Sequence, residues 1–265
     1  MFTIEQVLQP ETLEEAYQAL HGNISNTVLG GCAFLRLGSK KIATAIDLSE
    51  LKLDYILEPG KEIEIGAMTT FRTVETHPTL HQLFNGVLPK SVSNIIGVQF
   101  RNVVTVGATV YSKYGFSDLL TALLALDTEV ELYKGGRLPL EEFLQKSFPK
   151  DILTRLFIQK NARKASYQSM RNSLSDYPIL TIAVSELNQR WRIVVGARPL
   201  RAQLASKASE ALSNSKLTAE DIEQSASLAV EELSFGSNIR GSAEYRKAMC
   251  KVLVKRGIME VLQCK

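Results

Sequence analysis

Two glycine-containing turns constrain this chain more than any other feature of its sequence. The first is Val28-Leu29-Gly30-Gly31-Cys32-Ala33-Phe34, and the second ends Thr105-Val106-Gly107-Ala108-Thr109-Val110. Glycine lacks a Cβ atom, so its N–H group can approach phosphate oxygens closely and its φ angle can be positive. Two such turns, well separated along the chain, predict a two-part backbone cradle for a cofactor that carries a diphosphate.

Neither turn has the spacing of the dinucleotide-binding fingerprint. That fingerprint, Gly-x-Gly-x-x-Gly between a strand and a helix, does not occur in the sequence. A nicotinamide-dependent dehydrogenase of the Rossmann type is therefore disfavoured. Taken alone, Gly30-Gly31 is most simply an ordinary turn between strands, so the cofactor hypothesis depends on both turns together.

The composition is that of an ordinary globular protein. The 265 residues suffice for two modest domains, and 45% of them are hydrophobic and 22% charged. The net charge of +3 includes no basic block interleaved with aromatic residues, so we expect no nucleic-acid partner. No apolar run approaches the roughly 20 residues that span a bilayer, and residues 1–6 do not resemble a secretion signal. We therefore expect no membrane association and a cytoplasmic location.

The cysteines and histidines limit the metal chemistry that this chain can perform. The cysteines are Cys32, Cys250 and Cys264. Three cysteines are too few and too scattered to suggest a set of disulfide bonds, which fits a reducing compartment. They are also too few for an iron–sulfur cluster, which generally takes four thiolates. The pair His77 and His81 has Pro78 between its members and no glutamate, so we expect no metal site there.

The N-terminal part of the chain predicts a small βαβ-like lobe. Thr12 and Glu15 form a capping pair for a short amphipathic helix over residues 11–20. Residues 26–29 predict a strand that leads into the first glycine turn, and residues 41–47 predict another strand after that turn.

The rest of the chain predicts a mixture of helices and strands. Residues 70–84 have a helical pattern that Pro78 interrupts, whereas residues 102–110 are rich in β-branched side chains and predict extended structure. A basic stretch at 160–164 suggests a domain boundary. Further helices are predicted over 87–96, 118–125, 200–212, 219–233 and 243–262, and further strands over 62–65, 128–133, 179–184 and 191–196.

The glycine turns and three further segments resemble one protein family. The first turn is similar to the family's Ala-Gly-Gly-Thr/His-Asp/Ser loop, and residues 99–109 are similar to its Gln-Ile-Arg-Asn-x-Ala-Thr-Ile-Gly-Gly-Asn signature. Residues 65–70 resemble an Ile-Gly-Ala-x-Thr-Thr segment, and residues 241–246 and 252–256 resemble the C-terminal helix. The family is the flavin-binding subunit of the molybdenum hydroxylases, which include xanthine dehydrogenase and carbon monoxide dehydrogenase.

The resemblance covers nearly the whole chain and implies its fold. We expect an α+β protein with a two-lobed FAD-binding domain of the vanillyl-alcohol-oxidase type and a smaller C-terminal α+β domain. The FAD-binding domain is expected over residues 1–163, with lobes at about 1–55 and 56–163. The C-terminal domain, of the carbon monoxide dehydrogenase flavoprotein type, is expected over residues 164–265.

The resemblance also implies which residues hold FAD. The expected cofactor-binding residues are Leu29, Gly30, Gly31, Cys32, Ala33, Phe34, Thr105, Gly107, Ala108, Thr109 and Asp118. The backbone of the two turns is expected to bind the pyrophosphate without a covalent bond to Cys32. No catalytic residue and no metal ligand is expected in this chain.

Three of these positions, Cys32, Ala108 and Thr109, depart from the family pattern, and two others have a structural explanation as well as a functional one. Ala108 and Thr109 stand where the family has Gly-Asn, and alanine fits there if its φ angle is negative. Thr105 either contacts phosphate or is an ordinary strand residue. Asp118 matches an aspartate that hydrogen-bonds the cofactor, and it is equally explained as an acid at a helix N-terminus. Tyr167 and Arg171 lie in a segment that resembles the entry to the C-terminal domain.

The function that the resemblance implies is an electron relay. In the family, hydroxylation occurs in a large molybdopterin-binding subunit, and electrons cross the clusters of an iron–sulfur subunit to reach FAD. They then leave to NAD⁺ or another acceptor. One alternative is a degenerate scaffold that binds flavin weakly or not at all, motivated by the departures at Cys32, Ala108 and Thr109. A stand-alone flavin oxidase is the other, although no histidine or tyrosine constellation for handling a substrate stands out.

Overall fold

The computed structural model describes residues 2–264, and these form two compact units that interleave along the chain. The first unit contains the residues up to Thr73, Gly97–Ser112 and Thr128–Gln159. The second unit contains Val74–Ile96, Lys113–Asp127 and the residues from Lys160 onward. The expected α+β fold is confirmed.

The elements of the described chain are as follows. The strands are β1 (Thr3–Leu8), β2 (Thr27–Leu29), β3 (Lys41–Asp47), β4 (Ile56–Leu57), β5 (Glu62–Gly66), β6 (Glu129–Leu132), β7 (Gly136–Pro139), β8 (Leu153–Gln159), β9 (Lys164–Arg171), β10 (Pro178–Leu187), β11 (Arg190–Gly196) and β12 (Gln203–Leu204). The α-helices are α1 (Leu13–Gly22), α2 (Phe71–Thr76), α3 (Pro78–Gln82), α4 (Val87–Val92), α5 (Val98–Arg101), α6 (Val106–Ser112), α7 (Asp118–Ala125), α8 (Leu140–Gln145), α9 (Ser206–Ser213), α10 (Ala219–Glu232) and α11 (Ala243–Gln263).

The first unit contains two sheets. One is parallel, in the order β1-β3-β2, and the other is antiparallel, in the order β4-β5-β8-β6-β7. Helix α1 begins where the sequence predicts, because the Thr12 hydroxyl accepts a hydrogen bond from the N–H of Glu15 at 3.2 Å. Its buried residues Ala16 and Leu20 share a hydrophobic cluster with Ile46 at the end of β3. Val28 of β2 packs against the same cluster and β2 pairs with β3, so the first glycine turn follows a strand that this small core holds in place.

The second unit is built on an antiparallel sheet in the order β12-β11-β10-β9. Alternate residues of β10, including Ile182 and Val184, lie in a hydrophobic cluster with buried residues of α9, α10 and α11. On the other face, Thr181 and Ser185 hydrogen-bond α7 through the Thr121 hydroxyl and the Ala125 carbonyl. Because helices cover both faces, nearly all of β10 is buried, which places the N-terminus of α7 against a fixed platform.

The prediction of extended structure over 102–110 is wrong. Helix α6 begins at Val106, and the hydroxyl of Thr105 accepts a hydrogen bond from the N–H of Ala108 at 3.3 Å, as a helix cap does. Tertiary contacts here override the β propensity of the valines, since the N–H of Val106 bonds the carbonyl of Thr69 at 2.9 Å. Two predicted helices are also shorter than expected: α4 ends at Val92 and α9 begins only at Ser206.

Candidate functional site

The two glycine turns pack directly against each other in the first unit. A Cβ atom on Gly30 would lie 2.6 Å from the Cβ of Ala108 and 2.9 Å from the hydroxyl oxygen of Thr105. A Cβ atom on Gly31 would lie 2.0 Å from the carbonyl oxygen of Val103. All three distances are too short for a side chain, so only glycine at positions 30 and 31 lets the two turns come together.

The segment at residues 65–70 joins the same arrangement. The N–H of Gly107 donates to the carbonyl of Ala67 at 2.8 Å, and a Cβ atom on Gly107 would lie 2.6 Å from the Cβ of Ala67. The carbonyl of Val104 accepts a hydrogen bond from the N–H of Phe71 at 2.9 Å. Three segments that the sequence analysis singled out separately thus form one continuous packed structure.

The start of α6 is already satisfied by bonds within the chain. The N–H of Gly107 bonds Ala67 and that of Ala108 bonds Thr105, so in this conformation these two groups are not free to donate to phosphate. The hydroxyl of Thr109 donates to the carbonyl of Thr105 at 3.0 Å. Ala108 lies inside a helix, where φ is negative, which explains why alanine can replace glycine there.

The loop after Gly30 has the properties of an anion-binding turn. Gly31 and Cys32 have consecutive positive φ angles of 55° and 52°, and the N–H of Cys32 bonds the carbonyl of Gly30 at 2.6 Å. Within the described residues, the N–H groups of Gly31 and Ala33 have no hydrogen-bond acceptor. Positive φ is unusual for cysteine, and such backbone outliers concentrate at ligand-binding turns. Two unsatisfied N–H donors in a half-buried loop fit an anionic pyrophosphate.

The neighbouring predicted residues frame this loop. Leu29 is the last residue of β2, and Phe34 precedes a short 3-10 turn at Leu35–Leu37. The thiol of Cys32 is half-buried, and burial raises its pKa above the ordinary value. Because the thiolate is the reactive form, this shift disfavours a covalent bond from Cys32 to a flavin.

Asp118 lies in the second unit, in the first turn of α7. The hydroxyl of Ser117 caps this helix by accepting a hydrogen bond from the N–H of Leu120 at 3.2 Å. The carboxylate of Asp118 is buried, and its Oδ1 atom accepts hydrogen bonds from the hydroxyl of Tyr167 and from the guanidinium of Arg171. Asp118 is therefore more than an acid at a helix N-terminus, because two side chains of β9 also hydrogen-bond its carboxylate.

Burial dominates the electrostatics of this cluster. It raises the pKa of Asp118 to about 6, although the positive charge of Arg171 acts in the opposite direction. Burial and the adjacent carboxylate raise the pKa of Tyr167 well above its usual value. The phenol therefore stays protonated, and its O–H group donates the hydrogen bond to Asp118. The sequence analysis named Tyr167 and Arg171 but missed this role. Their separation by four residues in a strand, which places both on one face, is the signal that was available.

Comparison with known proteins gives the class of this protein. The family described as "FAD binding domain in molybdopterin dehydrogenase" matches residues 2–160, and that described as "CO dehydrogenase flavoprotein C-terminal domain" matches residues 165–261. The chain therefore belongs to the family of FAD-binding domains in molybdopterin dehydrogenases. Its cofactor is FAD, and it is a subunit of an oxidoreductase.

Individual relatives agree with this assignment. The chain is 26% identical to the nicotine 6-hydroxylase medium subunit of Paenarthrobacter nicotinovorans over 269 residues, which cover 95% of each chain. It is also 26% identical to the 6-hydroxypseudooxynicotine dehydrogenase complex subunit alpha of the same organism, covering 95% of this chain and 92% of that one. Among solved structures, it matches carbon monoxide dehydrogenase from Hydrogenophaga pseudoflava with a TM-score of 0.90 and 22% identity over 98% of both chains. That last likeness shows the shared fold.

Two further observations concern metals and membranes. Within residues 2–264, no three histidine, cysteine, aspartate or glutamate side chains are grouped as a metal site would require. The helices of that same part of the chain include none with the length and apolar character needed to cross a bilayer.

Proposed function

We propose that this chain accepts electrons from an iron–sulfur subunit of a molybdenum hydroxylase complex and passes them to NAD⁺ or another acceptor. The observation that carries the proposal is the pair of matches, in order, to a flavin-binding domain and a flavoprotein C-terminal domain. The names of the relatives support it, because one is a medium subunit and another a subunit of a dehydrogenase complex. The cysteine count supports a separate iron–sulfur subunit, since three thiols are fewer than a cluster generally takes.

The residues of this chain bind and orient the cofactor. FAD, when bound, supplies one- and two-electron transfer chemistry. The N–H groups of Gly31 and Ala33 donate hydrogen bonds to its pyrophosphate, and the tight packing of Gly30 on Ala108 keeps that loop in place. Asp118 accepts a hydrogen bond from a cofactor hydroxyl. The other predicted residues, Leu29, Cys32, Phe34, Thr105, Gly107 and Thr109, shape the loop and the start of α6 around it.

We also propose that the FAD-binding domain covers residues 1–163 and the C-terminal domain residues 164–265. The matched ranges, 2–160 and 165–261, support this boundary, and β9 begins at Lys164. The compact units are a different division, because the second unit also takes residues 74–96 and 113–127.

Anaerobic reduction of the flavin tests the relay. Purines, aldehydes and nicotinate are added as candidate substrates, first to the isolated FAD-loaded chain and then to the chain with its iron–sulfur and molybdopterin-binding partners. We expect the visible flavin absorbance to bleach only when the partners are present, and NADH to form if NAD⁺ is the acceptor. Rapid bleaching of the isolated chain would show a self-sufficient oxidase and refute the relay.

A further inference from the structure

One oxygen of the Asp118 carboxylate accepts both of the side-chain hydrogen bonds that hold this residue. Oδ1 accepts hydrogen bonds from Tyr167 and Arg171, which lie on the same face of β9. Within the described residues, Oδ2 accepts no hydrogen bond from any other residue. A carboxylate oxygen that no other residue occupies can accept a hydrogen bond from a ligand that brings a hydroxyl or N–H group.

The side chains that hold Asp118 are themselves fixed. Arg171 is buried and its Nη1 atom also donates to the carbonyl of Asp176 at 2.5 Å, so its guanidinium is tied at two points. The ring of Tyr167 is buried in the second unit, and its hydroxyl has Asp118 as its partner. The rotation of the Asp118 carboxylate is therefore set by two anchored donors and not by α7 alone.

We propose that Tyr167 and Arg171 are positioning residues for FAD, which hold Asp118 so that its Oδ2 atom accepts a hydrogen bond from a hydroxyl group of the cofactor. The inference rests on the contact between Asp118 and FAD in the proposed function. FAD carries hydroxyl groups on its ribityl chain and its ribose, and a carboxylate oxygen accepts hydrogen bonds from such donors. Neither Tyr167 nor Arg171 needs to touch the cofactor.

Affinity for FAD tests the proposal on the full isolated chain. Apoprotein is titrated with FAD, and the dissociation constant is compared for the wild-type chain, Tyr167→Phe, Arg171→Lys and Arg171→Met. Tyr245→Phe is the matched control, because Tyr245 is 40% exposed on α11 and has no contact with this cluster. We expect Tyr167→Phe to weaken FAD binding about tenfold and the control to leave it unchanged. Arg171→Lys keeps the positive charge, so it should retain more affinity than Arg171→Met.

A double-mutant cycle separates positioning from a general structural effect. In an Asp118→Ala background, Tyr167→Phe should change the FAD dissociation constant less than about twofold, because the residue through which it acts is gone. The melting temperature of each apoprotein is measured in parallel. If Tyr167→Phe does not fold, the comparison of Arg171→Lys with Arg171→Met, in both backgrounds, gives the same test.

Two results would overturn the inference. One is an unchanged dissociation constant in folded Tyr167→Phe and Arg171→Met, and the other is an effect of the same size with and without Asp118. If the chain does not relay electrons, the reduction assay with partner chains will show it. That result would leave the FAD dissociation constants unchanged, so the two failures can be told apart. Wild-type apoprotein that takes up no FAD at all would instead refute the cofactor site as a whole.

Discussion

Replacing Gly31 by alanine should destabilise the folded chain even before FAD binds. The φ angle of Gly31 is 55°, a left-handed conformation that costs an alanine about 1–2 kcal/mol. In addition, the new Cβ would lie 2.0 Å from the carbonyl oxygen of Val103 and 2.8 Å from the Cα of Val104. Overpacking of this kind typically costs about 1–3 kcal/mol. We therefore expect the unfolding free energy of Gly31→Ala to fall by about 2–5 kcal/mol.

Gly60→Ala is the matched control for this experiment. Gly60 lies in the same unit with a φ angle of 61°, but a Cβ there would meet nothing within 4 Å. The unfolding free energy of Gly60→Ala should therefore fall only by the cost of the left-handed conformation, about 1–2 kcal/mol. Denaturant unfolding of the apoproteins, followed by circular dichroism, measures both variants, and Gly60→Ala should also keep FAD binding, whereas Gly31→Ala should lose it. Equal losses of stability in the two variants would show that the first glycine turn does not pack on Val103, and the arrangement of the site would be wrong.

Two further predictions concern charges buried in the second unit. Arg246 is fully buried and, within the described residues, pairs with no carboxylate; its Nη2 atom donates to Asn238 at 2.7 Å. Asn238→Asp should therefore raise the unfolding free energy by about 1–2 kcal/mol at pH 7, measured against the exposed change Asn172→Asp, and a loss of stability would contradict this. Burial raises the pKa of Asp118 from 3.8 in the unfolded chain to about 6 in the folded chain, so the folded chain binds the proton more tightly. Protonation of Asp118 therefore stabilises the fold fully below pH 3.8, and this stabilisation is lost as the pH rises through about 6. The difference in unfolding free energy between the wild-type chain and Asp118→Asn should fall by about 2 kcal/mol from pH 4 to pH 7, and a difference that does not vary with pH would refute this assignment.

Local signals in the sequence predicted many elements correctly, because side chains near the element determine them. The Thr12 cap starts α1, Pro78 separates α2 from α3, and Ser117 and Asp118 start α7. The strands over Lys41–Asp47 and Arg190–Gly196 were equally readable from their apolar pattern. The predicted domain boundary at residues 163 and 164 stays a prediction.

Elements that depend on distant partners were not predictable in this way. Residues 106–110 form the start of α6, and segments 67–71 and 30–31 pack on residues 103–108; no window of the sequence contains those contacts. Strand β8 was missed because it pairs with β5 and β6, which lie well before it in the chain.

The sequence predicted the glycine turns of the candidate site but not the contacts that distant segments make there. Family resemblance located the glycine turns, and their backbone chemistry suggested a phosphate ligand. It did not reveal that the N–H groups of Gly107 and Ala108 are used within the chain, or that Tyr167 and Arg171 hold Asp118. Both findings depend on three-dimensional contacts between segments that are remote in sequence.

The flavin content of the purified chain tests the central claim most directly. The protein is expressed in full, its visible absorbance spectrum is recorded, and it is then denatured, so that any flavin in the supernatant can be identified and counted against the protein. We predict a yellow protein with one FAD per chain, all of it released on denaturation, since Cys32 forms no covalent bond. A colourless protein whose apo form takes up no added FAD would contradict this account and would identify the chain as a scaffold subunit.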